Sequence, residues 1–323
     1  MVSELCLGTM IFGEDSPRSA DEATATRLIH QFLDAGGNFV DTADVYAGGR
    51  SEEITGRAIR NRRDQVVLAT KVRFATGDAP NDAGLSRRHI LAGCEASLRR
   101  LNTGYVDLLY AHMWDPLTPI EETLRAFDDL VTAGKVRYIG VSNFKAWQLM
   151  KALGVSDKHG WARFIAAQYQ YSLMVRDIER EYSSLFAAEG LGAVPWGPLG
   201  GGFLSGKYRA GERPAAGRIA TTPDRDEEAW ERRATARNWQ ILDAVGEIAG
   251  ARGKTYAQVA LAWLRAQPTV TAPIIGVRTP EQLADNLGAV GWELTAEELS
   301  GLDKASAIEE GYPYRMMRLY GTR

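Results

Sequence analysis

The sequence predicts a closed (β/α)8 (TIM) barrel, and three observations predict it. Eight short apolar or β-branched runs recur along the 323 residues. Segments with helical apolar spacing separate them, so strands alternate with helices as in βαβ units and a parallel sheet. No G-x-G-x-x-G follows any run, which counts against the runner-up, a doubly wound open sheet built around a dinucleotide. The length suits a single barrel domain spanning residues 1–323, because α/β barrels often exceed the usual domain size.

The strand runs fall at 5–10, 38–41, 66–71, 106–111, 136–141, 164–168, 193–196 and 273–275. Helix signals lie between them. Ser19 to Glu22 reads as a capping box. Ser86 precedes a helix with Ile90, Cys94, Leu98 and Leu101 on one side. Thr118-Pro119-Ile120-Glu121 reads as a capping box with proline at the first helical position. Ile120, Leu124, Phe127 and Val131 then form one face, and Gly134 stops it. Thr295 to Glu298 is a third capping box. One long irregular stretch, 197–226, is rich in Gly, Arg and Pro; loops of that length are usually functional or disordered.

Composition removes several function classes. The chain is 45% hydrophobic and 24% charged, with net charge −3 and a pI near 5.9. No basic stripe marks a nucleic-acid face. No apolar run approaches the ~18 residues of a membrane span, and the N-terminus lacks a secretory pattern, so a cytoplasmic protein is expected. Cys6 and Cys94 fit a reducing compartment, and neither they nor the four histidines have metal-ligand spacing. Nothing in the sequence specifies an oligomeric state.

In a barrel the chemistry sits at the C-terminal ends of the strands. Strand two ends in Asp41, with Tyr46 on its loop. Strand three ends in Lys71, strand four in His112, strand five in Ser142-Asn143, strand six in Gln168-Tyr169 and strand seven in Trp196. Strand eight leads to Gly276-Val277-Arg278. Taken singly, Asp41 reads as a turn cap, Tyr46 as surface, Lys71 as a solvated strand end and His112 as a structural histidine. Core packing does not require all of them at one barrel mouth.

The text around them is "GNFVDTADVYAGGRSEE", "TKV", "DLLYAHMWD", "GKVRYIGVSNF", "QYQYS", "PWGPLGGGFLSGKY" and "GVRTPEQLADN". It resembles the aldo-keto reductase superfamily over nearly the whole chain, nearer the long-chain bacterial and potassium-channel β-subunit-like branch than the human aldose reductase branch. The resemblance implies a catalytic tetrad of Asp41, Tyr46, Lys71 and His112. The chemistry is consistent. Reducing a carbonyl needs hydride and a proton. A phenol with a pKa of ~10 is a poor acid near neutrality, and a lysine ammonium is expected to lower it. Asp41 holds that lysine, and neutral His112 orients the substrate oxygen. No side chain supplies hydride, so a cofactor must.

The resemblance also implies NADPH/NADP+ as the cofactor, with NADH less favoured. Trp196 resembles the aromatic that stacks on the nicotinamide, and Ser142, Asn143 and Gln168 the groups that hold its carboxamide. Gly8, Thr9, Met10 and Asp41 line the same floor. Gly197, Pro198, Leu199, Gly201 and Lys207 resemble the strap over the pyrophosphate. Gly276, Arg278, Gln282 and Asn286 match the adenosine side, with Arg278 and the helix opening at Thr279 placed for a 2′-phosphate. A small-molecule carbonyl is the implied partner, its pocket lined by Phe12, Tyr46, Phe74, His112 and Trp114, with the tail 310–323 packed nearby through Tyr312, Tyr314, Met316 and Met317. Two features depart from the family pattern. The usual aromatic-Ser-Pro-Leu reads Trp196-Gly197-Pro198-Leu199, and strand one begins so early that the usual floor hairpin is expected to be absent. Two alternative readings are an NADP-binding partner protein like the channel subunits and an NAD-linked alcohol dehydrogenase.

Overall fold

The computed structural model describes residues 1–16, 19–215, 217–223 and 228–321. Eight parallel strands form one curled sheet: β1 (Cys6–Gly8), β2 (Phe39–Asp41), β3 (Val67–Val72), β4 (Val106–Ala111), β5 (Val136–Ser142), β6 (Phe164–Gln168), β7 (Gly192–Ala193) and β8 (Ile274–Gly276). Their order is β7-β6-β5-β4-β3-β2-β1-β8. The β7 end closes on the approach to β8 through Ala193 N→Thr269 O (2.9 Å), Thr271 N→Ala193 O (2.8 Å) and Ile274 N→Pro195 O (2.8 Å). The predicted (β/α)8 barrel is therefore the observed fold.

The helices are α1 (Glu22–Asp34), α2 (Arg50–Ile59), α3 (Arg87–Leu101), α4 (Ile120–Thr132), α5 (Ala146–His159), α6 (Ile178–Glu189), α7 (Arg218–Thr221), α8 (Trp230–Arg233), α9 (Ala236–Arg252), α10 (Tyr256–Arg265), α11 (Pro280–Leu287), α12 (Ala296–Ala305) and α13 (Tyr314–Tyr320). Among the described residues, none is long and apolar enough to cross a membrane. Two helix starts differ from the sequence reading. Asp21, not Ser19, caps α1 by accepting from Thr24 N, while the Ser19 hydroxyl donates to the backbone of Glu14 and Ser16. Pro119 occupies the N-cap of α4 without a side-chain bond, because the Thr118 hydroxyl is taken by Asp115 Oδ2 at 2.7 Å. Ser86 and Thr295 cap as expected.

Strand alternation decides which side chains reach the interior. In β3, Leu68 and Val72 join the outer core beneath the helices, while Val67 and Ala69 face the barrel interior with Cys6, Phe39, Leu108 and Tyr110. Lys71 shares the parity of Val67 and Ala69, so it points inward. Asp41 shares the parity of Phe39 and points inward too. The β5–β6 register sets Ser142 beside Gln168. Among the described residues no strand precedes β1, and Val2 packs against the interior cluster.

The stretch after β7 has more order than the sequence suggested. A 3-10 turn spans Gly200–Ser205, and α7 and α8 follow. Arg213 and Arg218 are ion-paired within this region, to Glu231 at 3.4 Å and Glu228 at 2.5 Å. The end of the predicted loop, at residues 224–226, lies outside the described residues, as do tail residues 322–323. The tail docks on α6, where Tyr314 donates to Glu181 Oε1 at 2.8 Å. Tyr312, Met316 and Met317 stay largely exposed and do not line the tetrad.

Candidate active site

The structure brings the four predicted residues together at the C-terminal mouth. Lys71 is fully buried and donates to three oxygens: the Asp41 carboxylate, Thr42 O at 2.8 Å and the Tyr46 hydroxyl at 3.1 Å. The other Asp41 oxygen accepts from Gln168 Nε2 at 2.8 Å. Burial alone disfavours the ammonium, but Asp41 and Tyr46 outweigh it and hold Lys71 above the usual lysine value. Lys71 therefore stays charged, with each of its three N–H bonds directed.

Tyr46 opens a short turn, Tyr46–Gly49, between β2 and α2. Its ring lies 6.0 Å from that of His112, edge to face, and Lys71 Nζ sits 4.8 Å from the Tyr46 ring centroid. Its phenol departs from the sequence expectation. Lys71 does pull the phenol down, but burial pushes it up by more, so the net shift is above the ordinary tyrosine value. Tyr46 consequently keeps its proton at neutral pH, with the Lys71 ammonium on its oxygen.

His112 follows β4. Burial, then Lys71 and Arg73, push its imidazole down to about 2, so the ring is neutral at any working pH. Nδ1 is enclosed without a hydrogen-bond partner among the described residues, which leaves Nε2 to meet a substrate. Phe74 packs edge-on against the ring at 4.7 Å. Trp114, half-buried, lies beyond it against Phe144 at 5.1 Å. Phe12 does not belong to this wall. It has no exposed surface and sits in the outer core, anchored by a bridge to Ala20.

The candidate cofactor residues divide into two groups. Around the tetrad, Ser142 Oγ donates to Gln168 O at 2.7 Å. Asn143 adopts a left-handed φ of 56°, which turns Nδ2 back onto His112 O (3.0 Å) and Ser142 Oγ (2.8 Å). Its Oδ1 faces Trp196 Nε1 at 3.4 Å. Thr9, next to Gly8 and Met10, donates to Asp41 O at 3.1 Å. Gly197 has φ +68°, a left-handed backbone that glycine adopts without strain. Buried Pro198 and half-buried Leu199 lead into the turn that holds Gly201.

Further out, Lys207 and Arg278 line one cavity of about 350 Å³ together with Tyr208, Pro214, Ala215 and Gly217. Among the described residues no carboxylate lines it, and burial and Arg278 both push the Lys207 ammonium down. Two cations facing one space suit a phosphate. Gln282 Oε1 accepts from Arg278 N at 3.0 Å, Thr279 caps α11, and Asn286 is buried on its inner face, below exposed Gly276. Among the described residues, no cluster of side chains fits a metal ion.

The sequence reading gave no role to two acids near Tyr46, Asp44 and Glu52. Both carboxylate oxygens of buried Asp44 are enclosed without a hydrogen-bond partner among the described residues. Burial, and then Glu52 beside it, push its carboxyl up to about 7. The folded value exceeds the unfolded one, so this contribution to stability is complete below pH ~4 and is lost as pH rises through about 7. Asp44→Asn should therefore flatten the fall in Tm between pH 5 and 8. The difference corresponds to on the order of 2–4 kcal/mol. Parallel Tm–pH profiles for both proteins would refute the assignment.

Comparison with known proteins agrees with this geometry. The aldo/keto reductase family model matches residues 4–307. An uncharacterized oxidoreductase of Bacillus subtilis is 40% identical over 94% of this chain and 91% of its own. A probable voltage-gated potassium channel subunit beta of Oryza sativa is 37% identical over 97% of this chain and 95% of its own. A norsolorinic acid reductase of Emericella nidulans is 38% identical over 97% of this chain and 80% of its own.

Proposed function

The chain belongs to the aldo/keto reductase family, a family of oxidoreductases, and from that membership we propose that it reduces an aldehyde or ketone to the alcohol with NADPH, Tyr46 giving the proton. One observation carries the reading: Lys71 Nζ stands on Asp41, Thr42 O and the Tyr46 hydroxyl at once, and a neutral His112 faces the same phenol.

NADPH, when bound, supplies the hydride. Trp196 would face the nicotinamide, with Ser142, Asn143 and Gln168 beside its carboxamide. Gly197, Gly201 and the following turn would pass over the pyrophosphate, and Lys207 and Arg278 would take phosphate charge. The substrate carbonyl oxygen sits between His112 Nε2–H and the Tyr46 hydroxyl. As negative charge grows on that oxygen, the Tyr46 O–H transfers its proton to it. The phenolate left behind is held by Lys71, whose own proton count does not change because Asp41 keeps it charged. Phe74 and Trp114 exclude water on one side. The proposed compartment is the cytoplasm, where the buried thiols of Cys6 and Cys94 stay reduced.

A panel of aldehydes and ketones, scored by NADPH consumption, tests this directly. Turnover of at least one carbonyl with NADPH is the expected result. A protein that binds NADPH tightly and turns over none of the panel would instead favour the binding-partner reading that the channel-subunit relatives suggest.

A further inference from the structure

The residues just after Tyr46 carry a second buried polar set that the reaction above does not use. Ser51 and Glu52, in the first turn of α2, expose no surface. They face opposite ways. Ser51 Oγ donates to Thr9 O at 2.8 Å and lies 3.2 Å from Thr42 Oγ1, so it binds the chain where it leaves β1 and β2. Glu52 Oε1 accepts from Thr70 Oγ1 at 2.6 Å, and Oε2 accepts from Arg100 Nε at 2.6 Å. Thr70 immediately precedes Lys71, and Arg100 belongs to α3. Arg100 also fills the space beside Gly49, where an added Cβ would lie 2.8 Å from its Cδ.

The turn between these anchors is not one the chain adopts freely. Ala47, Gly48 and Gly49 have φ of 50°, 62° and 94°, three left-handed residues in a row, one of them not glycine. Such a backbone persists only where its surroundings over-determine it. Here the surroundings are the two ends of the turn, fixed by Asp41 and Thr42 before it and by Ser51 and Glu52 after it.

We infer that Glu52 is a positioning residue for the reaction: through Thr70 and Arg100 it fixes the end of the turn against the strand that carries Lys71, and so keeps the Tyr46 hydroxyl on Lys71 Nζ. The inference rests on the reading of Tyr46 as proton donor. Arg100 can only donate, whereas Thr70 Oγ1 can donate or accept. A glutamine can keep Oε1 on Arg100 only by turning its NH2 to Thr70 Oγ1, which reverses that bond, and in either orientation of the amide the negative charge paired with the Arg100 guanidinium is lost.

The test uses the NADPH-loaded enzyme and three readouts: the single-turnover rate of NADPH oxidation by an aldehyde the wild type reduces, the NADP+ dissociation constant, and the ¹³Cζ-tyrosine NMR signal assigned by its loss in Tyr46→Phe. Glu52→Gln is expected to slow turnover about tenfold to a hundredfold, keep the dissociation constant within about twofold, and shift the Tyr46 signal. A wild-type rate in a folded Glu52→Gln protein overturns the inference. So does an equal loss of rate and cofactor affinity, which marks general loosening. If Glu52→Gln does not fold, Thr70→Val and Arg100→Met each remove one anchor. The same selective pattern in either supports the inference, and wild-type rates in both overturn it. A wild type that reduces no aldehyde defeats the proposed reaction instead, and the Tyr46 signal then decides the positioning by itself.

Discussion

Tyr46→Phe is expected to lower carbonyl turnover by about 10²–10⁴-fold and to leave NADPH affinity within about twofold, the range that removal of a positioned general acid gives. The substitution takes away one oxygen and keeps the rest. A phenylalanine ring retains the edge-to-face contact with His112 at 6.0 Å and the Lys71 ammonium 4.8 Å from its centroid. Lys71 keeps the Asp41 carboxylate and Thr42 O, so the ion pair beneath the site stays intact. His112 cannot substitute as acid, because its ring, pushed down to about 2, carries no exchangeable charge at neutral pH. The loss should appear in kcat rather than in cofactor binding, since the proposed role of the phenol is on the substrate oxygen. The measurement is steady-state kcat together with NADPH titration by protein fluorescence. A variant that retains a tenth of wild-type turnover assigns the proton to another group.

Most of the fold was legible because its signals are local and periodic. Alternation along β3 turns Lys71 inward, alternation along β2 does the same for Asp41, and both follow from reading apolar residues two apart. The tetrad was legible for a further reason, since its members stand at strand ends that a barrel must bring to one rim. What escaped was settled by competition between partners and by burial, which a local pattern does not rank. The Thr118 hydroxyl looked like a helix cap until Asp115 claimed it, and Ser19 until Asp21 stood closer to the helix. Phe12 looked like a pocket residue, but the return of the chain at Ala20 encloses it. The balance at Tyr46 was equally invisible. The neighbouring lysine is written in the sequence, whereas the burial that outweighs it depends on every loop around the mouth. Glu52 stood in plain view in the stretch that holds Asp41 and Tyr46, yet Thr70 and Arg100, the donors that explain it, lie 18 and 48 residues away.

Arg278→Ala is expected to weaken NADPH binding about tenfold to several hundredfold and NADH binding little. The two cofactors differ by one phosphate on the adenosine ribose, a dianion that needs a partner which stays charged and points its donors. A guanidinium does both, because it does not titrate near neutrality. Arg278 projects from the loop after β8 at the start of α11, where Pro280 has no N–H and Thr279 already caps Gln282 N–H, so the guanidinium is the group left to meet an anion. Its backbone is fixed by Gln282 at 3.0 Å, so the side chain leaves from a defined place. It shares a cavity of about 350 Å³ with Lys207, and among the described residues that lining holds no carboxylate. Arg278 also lines a larger cavity of about 590 Å³, where Arg50 and the acids Glu14, Asp15, Asp21 and Glu22 stand together. Charge-assisted hydrogen bonds contribute ~1.5–3 kcal/mol each. One or two of them, at ~1.4 kcal/mol per factor of ten, give the expected loss. Dissociation constants for both cofactors on both proteins, measured at one low and one high salt concentration, check the electrostatic origin, since the NADPH preference must shrink as salt rises. Equal weakening of NADPH and NADH by the substitution, or equal affinity of the unmodified protein for both, removes Arg278 from the phosphate site.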